Sequence, residues 1–278
     1  MIRCGNGSGK TAKTDGRCAF PRSRGSFPFD RPFLLACKKE LAGFAVKVSM
    51  KNGTVSFEAN ESAPYDFKRE RMEYRLPKGG PEILTAPRAS FVVVRGKGDP
   101  NEEGGAYQSA ISVLYAVAYT LKMSRGTGCA MEGFYGYVVP PLEGFWWQDG
   151  IDGVDLSDKS AFCWISAIRL PEFVSKRDFD WAVETAAKKK KLDCAKAELL
   201  TIDEGLCVQM THIGPYDDEP ATVEKMDRLI SENGYENGFS KERLHHEIYF
   251  SDARKTAPGK RKTVIRHPIR KIAGGGGQ

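Results

Sequence analysis

Glu82-Ile83-Leu84-Thr85, a short break, then Phe91-Val92-Val93-Val94 closing on Gly96, comes back later as Glu198-Leu199-Leu200-Thr201, a short break, then Cys207-Val208-Gln209-Met210 closing on Gly214. The two runs lie 116 residues apart at their start and 118 apart at their glycines, so they keep register within two residues. Acids follow each run where a helix should begin, Asp99 in the first copy and Asp217 with Asp218 in the second. A chain that repeats itself this way predicts two similar α+β modules facing each other across a groove, a common place for a small-molecule pocket.

The periodicities around these runs fill in each copy. Phe91 to Val94 is short and β-branched, a strand. Asp99-Pro100-Asn101-Glu102 reads as a helix start, and Tyr107, Ile111, Leu114, Tyr115, Ala118 and Leu121 recur at helical spacing until Ser124 and Gly126. Strands are predicted around 134–139 and 161–170. Ser175-x-x-Asp178 opens a connecting helix that ends on Lys188 to Lys191. In the second copy Val223, Met226, Leu229 and Ile230 mark a helix stopped by Asn233-Gly234, and strands follow at 245–250 and 263–269. Each copy is therefore βαββ, which favours antiparallel sheets with helices on one face.

The domain reading is a body over residues 64–273, with repeats at about 81–170 and 197–270. Residues 1–63, rich in Arg, Gly and Ser and poor in periodicity, read as a disordered basic extension. Residues 274–278, Gly-Gly-Gly-Gly-Gln, read as a linker scar. In the extension, Gly5-Asn6-Gly7-Ser8-Gly9-Lys10-Thr11 imitates a phosphate-binding loop, but Cys4 stands where the first glycine is required and no strand leads into it.

Composition narrows the function classes. With 278 residues and 41% hydrophobic content the chain can bury one large or two small cores. No apolar run approaches the ~20 residues that cross a bilayer, so no membrane role is expected. Residues 1–63 carry 11 Lys and Arg against 5 Asp and Glu, the whole of the formal +6 charge. The body is balanced, and no nucleic-acid partner is expected of it. Seven cysteines, at 4, 18, 37, 129, 163, 194 and 207, form no Cys-x-x-Cys pair, the usage of a reducing compartment. His212, His245, His246 and His267 do not fall beside cysteines at zinc-ligand spacing, so no metal or other cofactor is expected.

Two segments are candidates for chemistry. On His245-His246-Glu247-Ile248-Tyr249-Phe250, period-two alternation separates His245, Glu247 and Tyr249 from His246, Ile248 and Phe250. The second set suits packing under helices, and the first suits a pocket lining on the other face. An edge strand with its polar face in water fits the same pattern. In Pro140-Pro141-Leu142-Glu143-Gly144-Phe145-Trp146-Trp147 the paired prolines should break the strand and release an aromatic cluster, one tryptophan packed inward and the other lining the groove. Tyr216, in the Gly214-Pro215-Tyr216 turn, either reaches the groove or packs on its neighbours.

The body from about Tyr65 to Ile269 resembles the GyrI-like small-molecule-binding domain proteins, in particular their stand-alone branch. The resemblance is carried by Tyr65-Asp66-Phe67-Lys68, Gly96-Lys97-Gly98-Asp99-Pro100-Asn101, Tyr137-Val138-Val139-Pro140-Pro141-Leu142-Glu143-Gly144, Trp146-Trp147, His212 to Pro220 and His245-His246-Glu247-Ile248-Tyr249. It implies duplicated SHS2-type βαββ modules related by a pseudo-twofold around a cleft, and a bacterial cytoplasmic setting. It also implies an acidic residue on a late strand, here Glu247, that meets cationic or aromatic ligands. Members of the stand-alone branch hydrolyse cyclopropanoid DNA-alkylating compounds of the duocarmycin and yatakemycin type. No helix-turn-helix pattern stands beside the matching region, which points away from a regulator.

The expected site then has Glu247 as general base for water and Tyr249 or Tyr216 as hydrogen-bond donor to the oxygen that gains charge. Trp146, Trp147, Tyr137 and Trp164 are the expected aromatic walls, with His245, His212 and Glu143 among the ligand-binding residues. The partner is a small molecule and a monomer is expected. A binding module that sequesters xenobiotics without chemistry is the competing reading. Inhibition of a topoisomerase is a third class, and it rests on the family's name alone.

Overall fold

The computed structural model describes residues 46–51, 54–59, 63–127, 129, 131–151, 154–155 and 157–272. The chain divides into two compact units, 1–62 and 63–278. In the first, β1 (Val46–Lys51) and β2 (Thr54–Ala59) pair antiparallel with Val46 opposite Ala59. The expected disordered extension thus contains two paired strands, at 46–51 and 54–59. The phosphate-loop imitation and the 274–278 tail lie outside the described residues.

The second unit is α+β around one antiparallel sheet. Its elements are α1 (Phe67–Glu70), β3 (Glu82–Ala86), β4 (Ala89–Lys97), α2 (Ala106–Lys122), β5 (Leu142–Trp147), β6 (Cys163–Arg169), α3 (Lys176–Lys190), β7 (Glu198–Ile202), β8 (Gly205–Ile213), α4 (Pro220–Glu232), β9 (Tyr235–Asn237), β10 (His245–Tyr249) and β11 (Lys262–Lys271). The strand order is β3-β8-β11-β10-β5-β6-β4-β7, with β9 added to β11. Exchange β3 for β7, β4 for β8, β5 for β10 and β6 for β11, and the order reads the same from the other end. The centre of that symmetry falls between β5 and β10. The first strand of each half of the unit lies in the other half: β3 pairs with β8, and β7 with β4.

Local signals explain most boundaries. Ser175 and Asp178 form a reciprocal capping box at the start of α3, as predicted, and Lys188, Lys189 and Lys190 occupy its last turn. Pro220 opens α4, and Asn233 with Gly234, at φ 75°, closes it. Asp99 does not start a helix. Its Oδ1 accepts from the Asn101 backbone N–H at 2.8 Å, an Asx turn, and α2 begins at Ala106. The strand expected at 134–139 is reduced to one bridge between Tyr65 and Tyr137. Pro140 and Pro141 lack N–H donors and so end pairing on their upstream side, while β5 starts immediately after them.

One face of the sheet carries the long helices. Val92, Val94, Trp164 and Ile168 pack with Val113, Leu114, Val117 and Leu121 of α2 and Phe179, Ala182 and Ala186 of α3. At the other end Val208, Ile265 and Ile269 pack with Met226 and Ile230 of α4. Each fully buried Leu or Ile contributes about 1.5–3 kcal/mol. The opposite face is covered by Phe67, Tyr74 and Tyr137 over Ile248 and Val264.

Beneath that cover runs a buried ionic network. His246 Nδ1 lies 2.8 Å from Glu204 Oε1 and its Nε2 2.9 Å from Glu143 Oε2. Tyr74 donates to Glu143 at 2.5 Å, and Arg266 to Glu204 at 2.7 Å. Burial by itself would lower the His246 pKa, but Glu204 and Glu143 outweigh it and hold the imidazole above its usual 6.5. Burial would raise Glu204, but His246 and Arg266 bring it down to about 2 from 4.5. Glu204 therefore adds stability on the order of 3 kcal/mol that is complete above pH 4.5 and lost as pH falls toward 2. The His246 contribution is complete below pH 6.5 and lost as pH rises through its elevated folded value. Urea midpoints should be highest between pH 4.5 and 6.5 and fall on both sides. A midpoint that is flat across the acid range would rule this network out as a source of stability.

Candidate active site

Cross-strand partners share a face of a sheet, so the register locates the site. One row runs Val94, Ser166, Gly144, Glu247, Ile265, Met210 across six strands. Val94 lies in the core beneath α2 and Ile265 in the core beneath α4. The centre of the row, between the two helix groups, is Ser166, Gly144 and Glu247. Glu247 thus projects on the helix-bearing face. Alternation along β10 predicts His245, Glu247 and Tyr249 on the face away from the helices, and the structure reverses this. His246 and Ile248 belong to the covered opposite face.

The start of α4 closes around Glu247 from one side. Glu219, His245 and Glu247 bring their ligand atoms within 4.8 Å of one another. His245 Nε2 is 3.1 Å from Glu247 Oε1, and its Nδ1 is 2.7 Å from His267 Nε2. Both ring nitrogens of His245 are thereby committed, which argues against this trio as a metal site despite its spacing. Burial, then the neighbouring His245, push His267 well below 6.5, so it remains neutral. The Glu247 side chain keeps 12% of its surface exposed.

Phenols and indoles form the rest of the surround. Trp146 Nε1 donates to the Tyr249 hydroxyl at 3.1 Å, and the Tyr216 and Tyr249 rings meet edge-on at 5.9 Å. Tyr107, from the first turn of α2, packs on Trp146 at 5.3 Å and edge-on against Trp164 at 5.1 Å. Burial first and then the Glu247 charge push Tyr249 and Tyr216 above 10, and burial pushes Tyr107 up as well. All three are neutral phenols that can donate hydrogen bonds. Lys159 pairs with Asp217 at 2.6 Å, joining the two halves next to Tyr216.

Glycines let the indoles lie close to the sheet. A Cβ on Gly96 would fall 2.2 Å from the Trp164 ring, and one on Gly144 would fall 2.5 Å from Trp146 Nε1 and 2.9 Å from the Tyr249 hydroxyl. Gly144→Ala should displace Trp146 from Tyr249 at a cost of about 1–3 kcal/mol. Thermal unfolding and tryptophan emission check it. An unchanged melting temperature with unchanged emission would mean that the site absorbs a methyl group freely.

The structure gathers Glu247, Tyr249, Tyr216, His245, Trp146 and Trp164, but not the other predicted residues. Trp147, with Phe145, Ile165 and Phe91, lies on the opposite face. So does Glu143, in the network with His246, because it shares the parity of Trp147 on β5. Tyr137 packs there too, edge-on against Phe173. His212 is tied into the α4 turn, with Nε2 donating to the Pro215 carbonyl at 2.8 Å and Nδ1 paired with Thr222 at 2.9 Å. It ties down the turn that carries Tyr216 and Glu219. The indoles are also not an open wall, since Trp146 and Trp164 are buried in contact with Tyr107. A groove of about 620 Å³ lies elsewhere, on the opposite face, lined by residues that include Met72, Tyr74, Leu76 and Phe250.

The chain matches the GyrI-like small molecule binding domain over residues 80–270. It belongs to the GyrI-like family. This GyrI-like protein is similar to two crystal structures from Listeria innocua named hydrolases. One is 41% identical with a TM-score of 0.67, over 74% of this chain and 100% of that one. The other is 42% identical with a TM-score of 0.69, over 75% and 100%. An uncharacterized conserved protein from the same organism is 44% identical with a TM-score of 0.69, over 74% and 100%. No curated protein sequence matches the chain. Among the described residues of this family member no helix is long and apolar enough to cross a membrane.

Proposed function

We propose that this protein binds flat hydrophobic or cationic small molecules over the Ser166, Gly144 and Glu247 floor and hydrolyses strained electrophiles there, cyclopropanoid alkylators among them. The observation that carries the reading is a carboxylate at the centre of the sheet, flanked by neutral phenols and indoles. Two relatives named hydrolases at 41–42% identity support a catalytic role. The flat ring stacks against Tyr107 and Trp146, worth ~0.5–1.5 kcal/mol beyond the area buried. Access requires those side chains to part. Glu247 takes a proton from water as its oxygen bonds to the cyclopropane methylene carbon. The ring C–C bond breaks, and its electron pair passes through the conjugated system to the carbonyl oxygen, which accepts a hydrogen bond from Tyr249 or Tyr216. A detoxifying role follows from that chemistry.

The second reading, sequestration without turnover, is favoured by the family's description as a binding domain. Incubation with a duocarmycin-type compound in excess, followed by mass spectrometry, separates the two. Hydrolysed product beyond one equivalent of protein supports catalysis. Intact ligand recovered at one equivalent refutes it in favour of sequestration.

A further inference from the structure

The groove on the face away from Glu247 is walled by a segment whose charges are unevenly matched. Between Asp66 and Lys78, the cations Arg69 and Arg71 pair with Asp66 and Glu172, and the acid Glu73 pairs with Arg169. Lys68, Arg75 and Lys78 are left over, exposed and without a carboxylate partner among the described residues. Those three are the cations that line the groove. The acid on its wall, Glu82, already accepts from Gln209 Nε2 at 2.9 Å. In a body whose acids and bases balance, three unmatched cations around one groove make a local excess that an anion relieves.

Between the cations the lining is apolar, with Met72, Leu76, Pro77 and Phe250 beside the ring of buried Tyr74. Met72 is 63% exposed, a flexible and polarizable side chain that adapts to what lies against it. The wall is also held in place without a ligand. Arg266 donates to the Glu73 carbonyl at 2.5 Å, Tyr74 to Glu143 at 2.5 Å and Thr211 to the Pro77 carbonyl at 3.0 Å, which pins residues 73–77 to β11, β5 and β8. We infer that this groove is a second binding site, for a single amphiphilic anion whose apolar chain lies along Met72, Leu76 and Phe250 and whose head sits among Lys68, Arg75 and Lys78. Arg75 suits a carboxylate head, because its guanidinium can donate two parallel hydrogen bonds. The occupant is a free molecule and not a lipid surface: the groove is concave, and its 620 Å³ falls in the range of about 300–1,000 Å³ that holds one small ligand. It faces away from the cleft and prefers the opposite charge, so it needs nothing of the hydrolytic reading.

Titration of the full chain with monomeric decanoate, followed by calorimetry, tests the site. One equivalent should bind, about tenfold more tightly for each two-carbon extension of the chain, and more weakly at high salt. Decyltrimethylammonium, with a similar chain and the opposite charge, should not compete. Arg75→Glu combined with Lys78→Glu, both at exposed positions, should weaken decanoate by about tenfold or more, while Glu247→Gln should leave it unchanged. Methionine-methyl NMR places the ligand: the Met72 signal, assigned through Met72→Leu, should shift on titration, and that of Met226, buried under α4, should not. No saturable binding, equal affinity for the cationic chain, or indifference to the double charge reversal would each overturn the site. Loss of binding in Glu247→Gln would overturn it in favour of the cleft, and binding to anionic vesicles without binding to decanoate would overturn it in favour of a membrane surface.

Discussion

Glu247→Gln is expected to lower turnover of a cyclopropanoid substrate by about 10²–10⁴-fold, the usual contribution of a positioned base. Glutamine keeps the shape of the side chain and can still accept from His245 Nε2, now 3.1 Å from Glu247 Oε1, so the loss reports the charge and not a collapsed site. Affinity separates two consequences of that charge. A neutral planar ligand should bind the variant almost as well as the parent, because stacking on Tyr107 and Trp146 is untouched. A cationic planar ligand of the same size should bind more weakly, having lost its counter-charge in a partly desolvated setting. Turnover within threefold of the parent would remove Glu247 from the mechanism.

His246→Ala should carry the largest stability penalty, about 3–5 kcal/mol, the range for breaking a buried ion pair from one side. The substitution leaves Glu143, 1% exposed, with Tyr74 as its side-chain partner among the described residues, and it removes the ring stacked 4.0 Å from Phe145. Glu204 loses less, since Arg266 still holds it. The double variant His246→Leu with Glu143→Leu should recover most of the deficit, because replacing both members of a buried pair by apolar groups is often neutral. Urea unfolding of the single and double variants decides it. A double variant as unstable as the single one would show that packing, not the stranded charge, sets the cost.

Much of the fold was legible because its signals are local. The capping box at Ser175, the Asn233-Gly234 stop and the apolar spacing of α2 each depend on a few neighbouring residues. The pairing of β3 with β8 had no local signal, since it joins residues more than a hundred positions apart. Pro140-Pro141 reads as the end of a strand and is instead the boundary just before one. Missing donors say that pairing fails at a position, not on which side it resumes.

The site was partly readable for the same reason. Alternation grouped His245, Glu247 and Tyr249 correctly, but period two tells which residues share a face, not which face bears the helices. Parity on β5 already separates Trp146 from Trp147 and Glu143, and applied strictly it would have removed the latter two from the site. Tyr107 registered only as one more apolar position of a helix. Glu219 looked like an ordinary acid at a helix start, and nothing near it in sequence reveals that β10 comes up against it.

The exchange of β3 and β7 between the halves bears on how the chain attains its structure. Gln209 donates to Glu82 from 127 residues away, so each half borrows an edge from a segment made at a distant point of synthesis. Neither half released by proteolysis would have its sheet complete, and heat should melt the body in a single calorimetric transition. Contacts this far apart also slow folding, so an N-terminal half emerging first must wait, with the flank of β4 uncovered, until the second half is made.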